Sequence, residues 1–250
     1  MLCMVLLLLP SEKVWAADPR DALIQAIEAY NGTLTDKTLT VTKETDPAIV
    51  NVTGDDIFWS GILELNIPAG ITLVWKAFVR PVSTNIITLT GPGTFELADG
   101  GNIKSTLTAI DNTGTGTVRI SGGSLEAAGG NGTRGVWSRA GGKVEITGGM
   151  ITASGMSAVG IECRSSVVMT GGEVIASGQY STGIQMSNST GTLSVQGGIL
   201  RATCKTATSE AVVIDNAATA TIADGEITTD SSAGIAVTNS GSLPEGLPPY

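Results

Sequence analysis

Two stretches of this chain are variants of one phrase: Val118-Arg119-Ile120-Ser121-Gly122-Gly123-Ser124-Leu125-Glu126-Ala127 and Val144-Glu145-Ile146-Thr147-Gly148-Gly149-Met150-Ile151-Thr152-Ala153. The phrase returns from Val167 through Gly171-Gly172 to Ala176 and from Leu193 through Gly197-Gly198 to Ala202, and a degraded copy runs from Ala220 through Asp224-Gly225 to Thr229. From Gly122 to Gly148, Gly171, Gly197 and Asp224 the steps are 26, 23, 26 and 27 residues. A period in the twenties marks a solenoid, whose units bury their apolar faces against their neighbours.

Each unit reads as a strand, a Gly-Gly turn, a second strand, and a third strand carrying Gly135-Val136-Trp137-Ser138, Gly160-Ile161-Glu162-Cys163, Gly183-Ile184-Gln185-Met186 or Ala211-Val212-Val213-Ile214. Apolar residues alternate with others along every strand, the period-2 signature of one buried face, and no helical period interrupts the repeats. The expected fold is all-β: a right-handed parallel β-helix with three short strands per coil. Its interior columns are expected to be Val118, Val144, Val167 and Leu193; then Leu125, Ile151, Val174, Leu200 and Ile227; then Ala127, Ala153, Ala176 and Ala202. Equal-sized residues down a column keep the coils equal in cross-section, so that neighbouring coils can hydrogen-bond. Asn112, Asn188, Asn216 and Asn239 follow third strands and suggest a stack of turn asparagines.

Upstream the pattern loosens. Ile87-Thr88-Leu89 and Gly93 to Leu97 read as the first two strands of a unit, with Leu65-Asn66-Ile67 and Ile71-Thr72-Leu73 in the unit before. Between residues 18 and 30, Leu23, Ile24, Ala26 and Ile27 fall at helical spacing, opened by Asp18-Pro19 and closed by Asn31-Gly32. A short helix there is expected to cap the first coil. The domain plan is then a signal peptide over residues 1–16, one β-helix domain over 17–241 with its helical cap, and a linker or tail over 242–250. The signal reading rests on the apolar run Leu2 to Leu9, too short to span a bilayer, followed by Val14-Trp15-Ala16-Ala17; a buried N-terminal strand is the alternative. Gly241 to Tyr250 holds three prolines and no apolar run, so a partner or further domain is expected to cover the last coil, or that end is frayed. Signal cleavage would remove Cys3; Cys163 is expected as a buried thiol in an inward column and Cys204 in a longer loop.

The phrase V-x-I-x-G-G-x-[IV]-x-A, over roughly residues 86 to 240, resembles the β-helical repeats of secreted and cell-surface proteins of Gram-positive bacteria, within the broad pectate-lyase-like superfamily. The resemblance implies an adhesin-like surface protein, often one module of a longer chain, and it speaks for fold far more than for function. No sorting signal or cell-wall anchor is recognised over Leu243 to Tyr250.

The chain has no histidine, which removes Ser-His-Asp and Cys-His nucleophiles and His-ligated zinc. Enzymes on β-helices work through carboxylates, so acids stacked in one outward column are the candidates. Aligning the turns places Thr72, Glu96, Glu126, Thr152, Ile175, Arg201 and Thr228 in such a column, with Glu96 and Glu126 as neighbours able to raise one pKa or hold a cation. Two solvated surface glutamates are the plainer reading. Asp55, Asp56, Asp99 and Asp111 are scattered, and Arg134 stands where a calcium nonapeptide loop over Gly129 to Arg134 would need Asp; no metal or cofactor is expected. For binding, Trp137 should face outward between inward Val136 and Ser138, with Glu162 and Gln185 stacked beside it: a ring and hydrogen-bonding groups suited to one face of a sugar. A lone exposed Trp partly covered by a loop is the alternative. Mixed outward columns speak against an ice-binding array.

With 33 Gly, 15% charged residues and a net charge of −9, the composition suits strands and turns and repels nucleic acid and anionic lipid. The expectation is a non-catalytic module, secreted or at a bacterial cell surface and not inserted in a membrane after signal cleavage, that contacts polysaccharide or surface glycan. The alternatives are a lyase or hydrolase of polysaccharide using the two glutamates, and a structural spacer.

Overall fold

The computed structural model describes residues 18–31, 34, 37–59, 61–81, 86–188, 190–203, 210–214, 219–229 and 235–239. The expected signal peptide, Cys204, Asn216 and the 242–250 tail lie outside the described residues. The chain winds as a parallel β-solenoid of about seven turns behind one N-terminal helix, as the repeat predicts.

Its three faces are stacks of short strands. The first face begins with Ile49–Thr53, Thr72–Trp75, Thr94–Leu97, Thr117–Ile120, Lys143–Ile146 and Ser166–Met169. The second includes Phe78–Pro81, Asn102–Ser105, Ser124–Asn131, Met150–Met156 and Glu173–Ser177. The third runs from Leu63–Leu65 and Ile87–Leu89 through Thr108–Asn112, Arg134–Ser138, Val159–Cys163 and Thr182–Met186 to Ile235–Asn239. In the later coils the first and second faces merge: Thr192–Thr203 and Thr219–Thr229 are each continuous across the corner.

The interior columns are those expected. Val118, Val144, Val167 and Leu193 pair in sequence, as do Leu125, Ile151, Val174, Leu200 and Ile227. All but Ile227 are buried, and Ile227 packs against the same core. Each buried aliphatic side chain contributes roughly 1.5–3 kcal/mol of transfer free energy, and the columns make this contribution repeat coil after coil.

The Gly-Gly corner has two separate causes. The second glycine takes φ of +70° at Gly149 and +75° at Gly172, the left-handed region that side chains avoid. The first lies against the preceding coil: a Cβ on Gly148 would stand 2.5 Å from the Ser121 carbonyl oxygen, and one on Gly171 2.6 Å from that of Thr147. The pair therefore turns the chain and lets successive coils approach.

The helix spans Pro19–Asn31, and its buried Leu23 and Ile27 join the core at the open first coil. Asp18 caps its N-terminus, accepting from the Arg20 backbone N–H at 2.9 Å, with Pro19 at the first helical position. Asn31 closes the other end by exchanging hydrogen bonds of 2.7 and 2.8 Å with the Leu39 backbone. The strand Thr40–Lys43 pairs antiparallel with Ile49–Thr53 and covers the first-face edge.

Two expectations are corrected. Ile87–Leu89 belongs to the third face and Thr94–Leu97 to the first, and Leu63–Leu65 and Thr72–Trp75 divide in the same way. Gly91-Pro92-Gly93 is thus the corner between the third and first faces, and the corner equivalent to Gly122-Gly123 is Ala98 to Gly101, one residue longer. Among the described residues no asparagine of the expected set stacks on another. Asn112 lies between Leu89 and Ser138, Asn239 pairs with Ile214, and Asn188 stands two residues beyond Met186.

In place of an asparagine stack, the interior column Asn112, Ser138 and Cys163 caps the corners between the third and first faces. The Asn112 amide nitrogen donates to the Gly116 carbonyl at 3.0 Å and its oxygen accepts from the Gly114 N–H. The Ser138 hydroxyl donates to the Gly142 carbonyl at 2.9 Å. Cys163, a free and fully buried thiol, accepts from the Ser165 N–H at 3.4 Å and donates to the Ser166 carbonyl at 3.5 Å. Each side chain adds a hydrogen bond to backbone groups of its corner; the Gly116 carbonyl also accepts from the Lys143 N–H and the Gly114 N–H also donates to the Leu89 carbonyl.

Candidate functional site

Glu96 and Glu126 are not neighbours. Glu96 is on the first face between Val74 and Arg119, whereas Glu126 is on the second between Lys104 and Thr152. The expected column failed because the register slip upstream carried Glu96 onto the wrong strand. Each carboxylate faces a cation one coil away: Glu126 accepts from Lys104 Nζ at 2.7 Å, and Arg119 sits between Glu96 at 3.5 Å and Glu145 at 3.0 Å. Glu96 also accepts from the Ser121 hydroxyl at 2.7 Å. Acid opposite base down an outward column is the sheet's ordinary electrostatic pairing. Among the described residues no cluster of His, Cys, Asp and Glu suited to a metal ion occurs.

Trp137, Glu162 and Gln185 do come together. They stack in register on the outward side of the third face, with Asp111 one coil before Trp137. Strand alternation places them there, because Val136, Ser138, Ile161 and Cys163 on either side turn inward. The Trp137 ring is not an open platform, however. The guanidinium carbons of Arg134 and Arg139 lie over it, 4.5 and 3.9 Å from its centroid. Arg134 donates from Nε to Glu162 at 2.5 Å and from one Nη to the Gly132 carbonyl at 2.9 Å. Arg139 donates from Nε to Asp111 at 2.9 Å and makes a second, shorter bond to the same carboxylate. Both acids are buried, with side chains only 4% (Asp111) and 11% (Glu162) exposed. Trp137 Nε1 is buried and has no hydrogen-bond partner among the described residues.

The assembly ties three coils together: Asp111 from one, Trp137 with both arginines from the next, Glu162 from the third. Buried acids hold the guanidiniums over the indole, a setting in which cation–π attraction exceeds its value in free solvent. Sequence reading found Trp137, Glu162 and Gln185 but missed Asp111, Arg134, Arg139 and Arg164. A signal was present: Arg139 and Arg164 directly follow Ser138 and Cys163, the last residues of two equivalent strands.

One other concavity deserves description, a cleft of about 270 Å³ between the helix and the third face. Ala22, Leu23 and Ala26 line it on the helix side and Glu64, Asn66, Pro68 and Thr90 on the other, with no convergence of charge. Among the described residues no helix is long and apolar enough to cross a membrane. Comparison with protein-family models, with curated proteins and with solved structures gives no match. The class of the protein is therefore defined by its own architecture: a parallel β-solenoid with a helical N-terminal cap.

Proposed function

We propose that the chain is a non-catalytic β-helix module of a secreted or cell-surface protein, related in kind to the adhesin-like repeat proteins of Gram-positive bacteria, that contacts glycans through its third face. The observation that carries this reading is the convergence of Asp111, Arg139, Trp137, Arg134, Glu162 and Gln185 on one outward surface. It combines aromatic surface, oriented donors and a side-chain amide, the mixture with which proteins fix a sugar. The guanidiniums laid on the indole, not the bare ring, form the contact surface. The pairing of Glu96 and Glu126 with separate bases weighs against the polysaccharide-cleaving alternative, which needs two carboxylates facing one bond.

A glycan array probed with the whole chain, alongside a turnover assay on acidic polysaccharides, tests the reading. Binding weakened by Trp137→Ala, without turnover, supports it. Turnover abolished by Glu126→Gln overturns it in favour of an enzyme, and a chain that binds no glycan is left as a spacer.

A further inference from the structure

We infer that the ligand of this face is an anionic saccharide, and that Arg139 and Arg164 supply the contacts to its charged group. The inference rests on the glycan-contact reading above and adds the ligand's chemistry.

Four equivalent residues leave the third face on successive coils: the backbone N–H groups of Thr113, Arg139, Arg164 and Ser187 donate to Leu89, Asn112, Ser138 and Cys163 respectively. Arg139 and Arg164 therefore start from adjacent rungs, about 4.8 Å apart. Like charges on neighbouring rungs repel unless an anion lies between or beside them. Arg139 has Asp111, but Arg164 is exposed and has no acid partner among the described residues.

The local sum is positive: Arg134, Arg139 and Arg164 stand against Asp111 and Glu162, a surplus of one on a chain whose net charge is −9. General basicity does not explain such a place. Its donors are also prepared. Arg134 and Arg139 are held over Trp137 by buried carboxylates, and each keeps one Nη with no partner among the described residues. Preorganised guanidiniums lose little freedom on binding and match the paired oxygens of a carboxylate or sulfate. Gln185, next in the outward column after Glu162, offers an amide to neighbouring hydroxyls. A long polyphosphate suits the site less well, since the surrounding acidic surface repels its remaining charges.

The test is titration calorimetry on the full chain with a heparin-derived hexasaccharide, its desulfated, N-acetylated and carboxyl-reduced neutral parent, and a single-stranded oligonucleotide of matched charge. The sulfated sugar should bind more tightly than its neutral parent and weaken as salt is raised. Arg164→Gln, which removes no side-chain hydrogen bond or ion pair among the described residues, should weaken it about tenfold, the cost of one charge-assisted hydrogen bond. Arg201→Gln, on the second face, should leave it unchanged. Equal binding of sulfated and neutral sugars, indifferent to Arg164→Gln, overturns the anionic assignment while sparing the glycan reading. If neither sugar binds, both fall. An oligonucleotide that binds as tightly as the sulfated sugar reduces the site to a general anion patch and overturns the saccharide assignment.

Discussion

The first coils and the fourth to sixth have the same three faces but are built differently. From Val118 to Met186 the core is columns of Val, Ile, Leu, Ala and Met between Gly-Gly corners of constant length. Between Ile49 and Ser105 the core holds bulkier side chains: Trp75 and Phe95 are fully buried with ring centroids 5.9 Å apart, and the Trp75 indole N–H donates to the Ala77 carbonyl at 3.0 Å. The comparison teaches that register in a solenoid is carried by its corners. With the corner fixed, one residue's position gives that of its neighbour in the next coil. Where glycines also mark another corner, as Gly91 and Gly93 do between the third and first faces, the reading slips by a whole strand and an outward acid is assigned to the wrong face.

The largest expected effect is at the aromatic end. Trp75→Ala should cost about 3–5 kcal/mol, whereas Ile151→Val in the regular coils should cost about 0.5–1.5 kcal/mol. Urea denaturation measures both. Since each coil contacts chiefly its neighbours, hydrogen exchange in Trp75→Ala should accelerate around residues 49–105 more than around Ile161 and Ile184. A uniform acceleration would show that the two regions form one cooperative unit.

Next in size are the corners. Gly172→Ala forces a side chain into φ +75° and 2.5 Å from the Gly148 carbonyl oxygen, at a cost of about 1–3 kcal/mol. Gly130→Ala meets nothing within 4 Å and should stay within about 0.5 kcal/mol of wild type. Thermal unfolding of the two variants separates corner geometry from glycine content; equal losses would refute the account of the Gly-Gly pair.

The polar column and the helix cap should divide in their response to pH. Burial pushes the Cys163 thiol above its ordinary value, so its contribution to stability is complete below the unfolded thiol's pKa near 8.5 and is lost as pH rises through the folded value. Cys163→Ser should keep the corner capped and flatten that alkaline loss, while Cys163→Val should cost about 1–2 kcal/mol at neutral pH by stranding the Ser165 N–H and Ser166 carbonyl. Hydrogen bonds from the Arg20 side chain and backbone, then from Lys43, hold the Asp18 carboxyl well below the usual carboxylate range. Its contribution is complete above about pH 4 and is lost as pH falls through the folded value. Melting curves of wild type and Asp18→Ala should therefore converge in acid, and a constant gap would show that the cap acts without its charge.

The smallest effect is expected on the outward ladders. Lys104 and Glu126 are both well exposed, so Glu126→Gln should change stability by no more than about 1 kcal/mol, and less in high salt. A larger loss would mean that the ladders, and not the columns, bind the regular coils together.

Read along the chain alone, the residues establish the solenoid, its period, the inward columns from Val118 to Ile227, the helical cap, the buried Cys163 and the outward stack of Trp137, Glu162 and Gln185. These follow from alternation along a strand and repetition at a fixed step, both local properties. That Glu96 and Glu126 lie on different faces emerged only from the folded chain, because it depends on which glycine-bearing corner, Gly91 to Gly93 or Ala98 to Gly101, joins the first face to the second. Only the structure, too, laid Arg134 and Arg139 over Trp137 and set Asp111 and Glu162 to hold them. Long, flexible guanidiniums have many possible partners in one dimension, and the partner they take is fixed by which coils become neighbours.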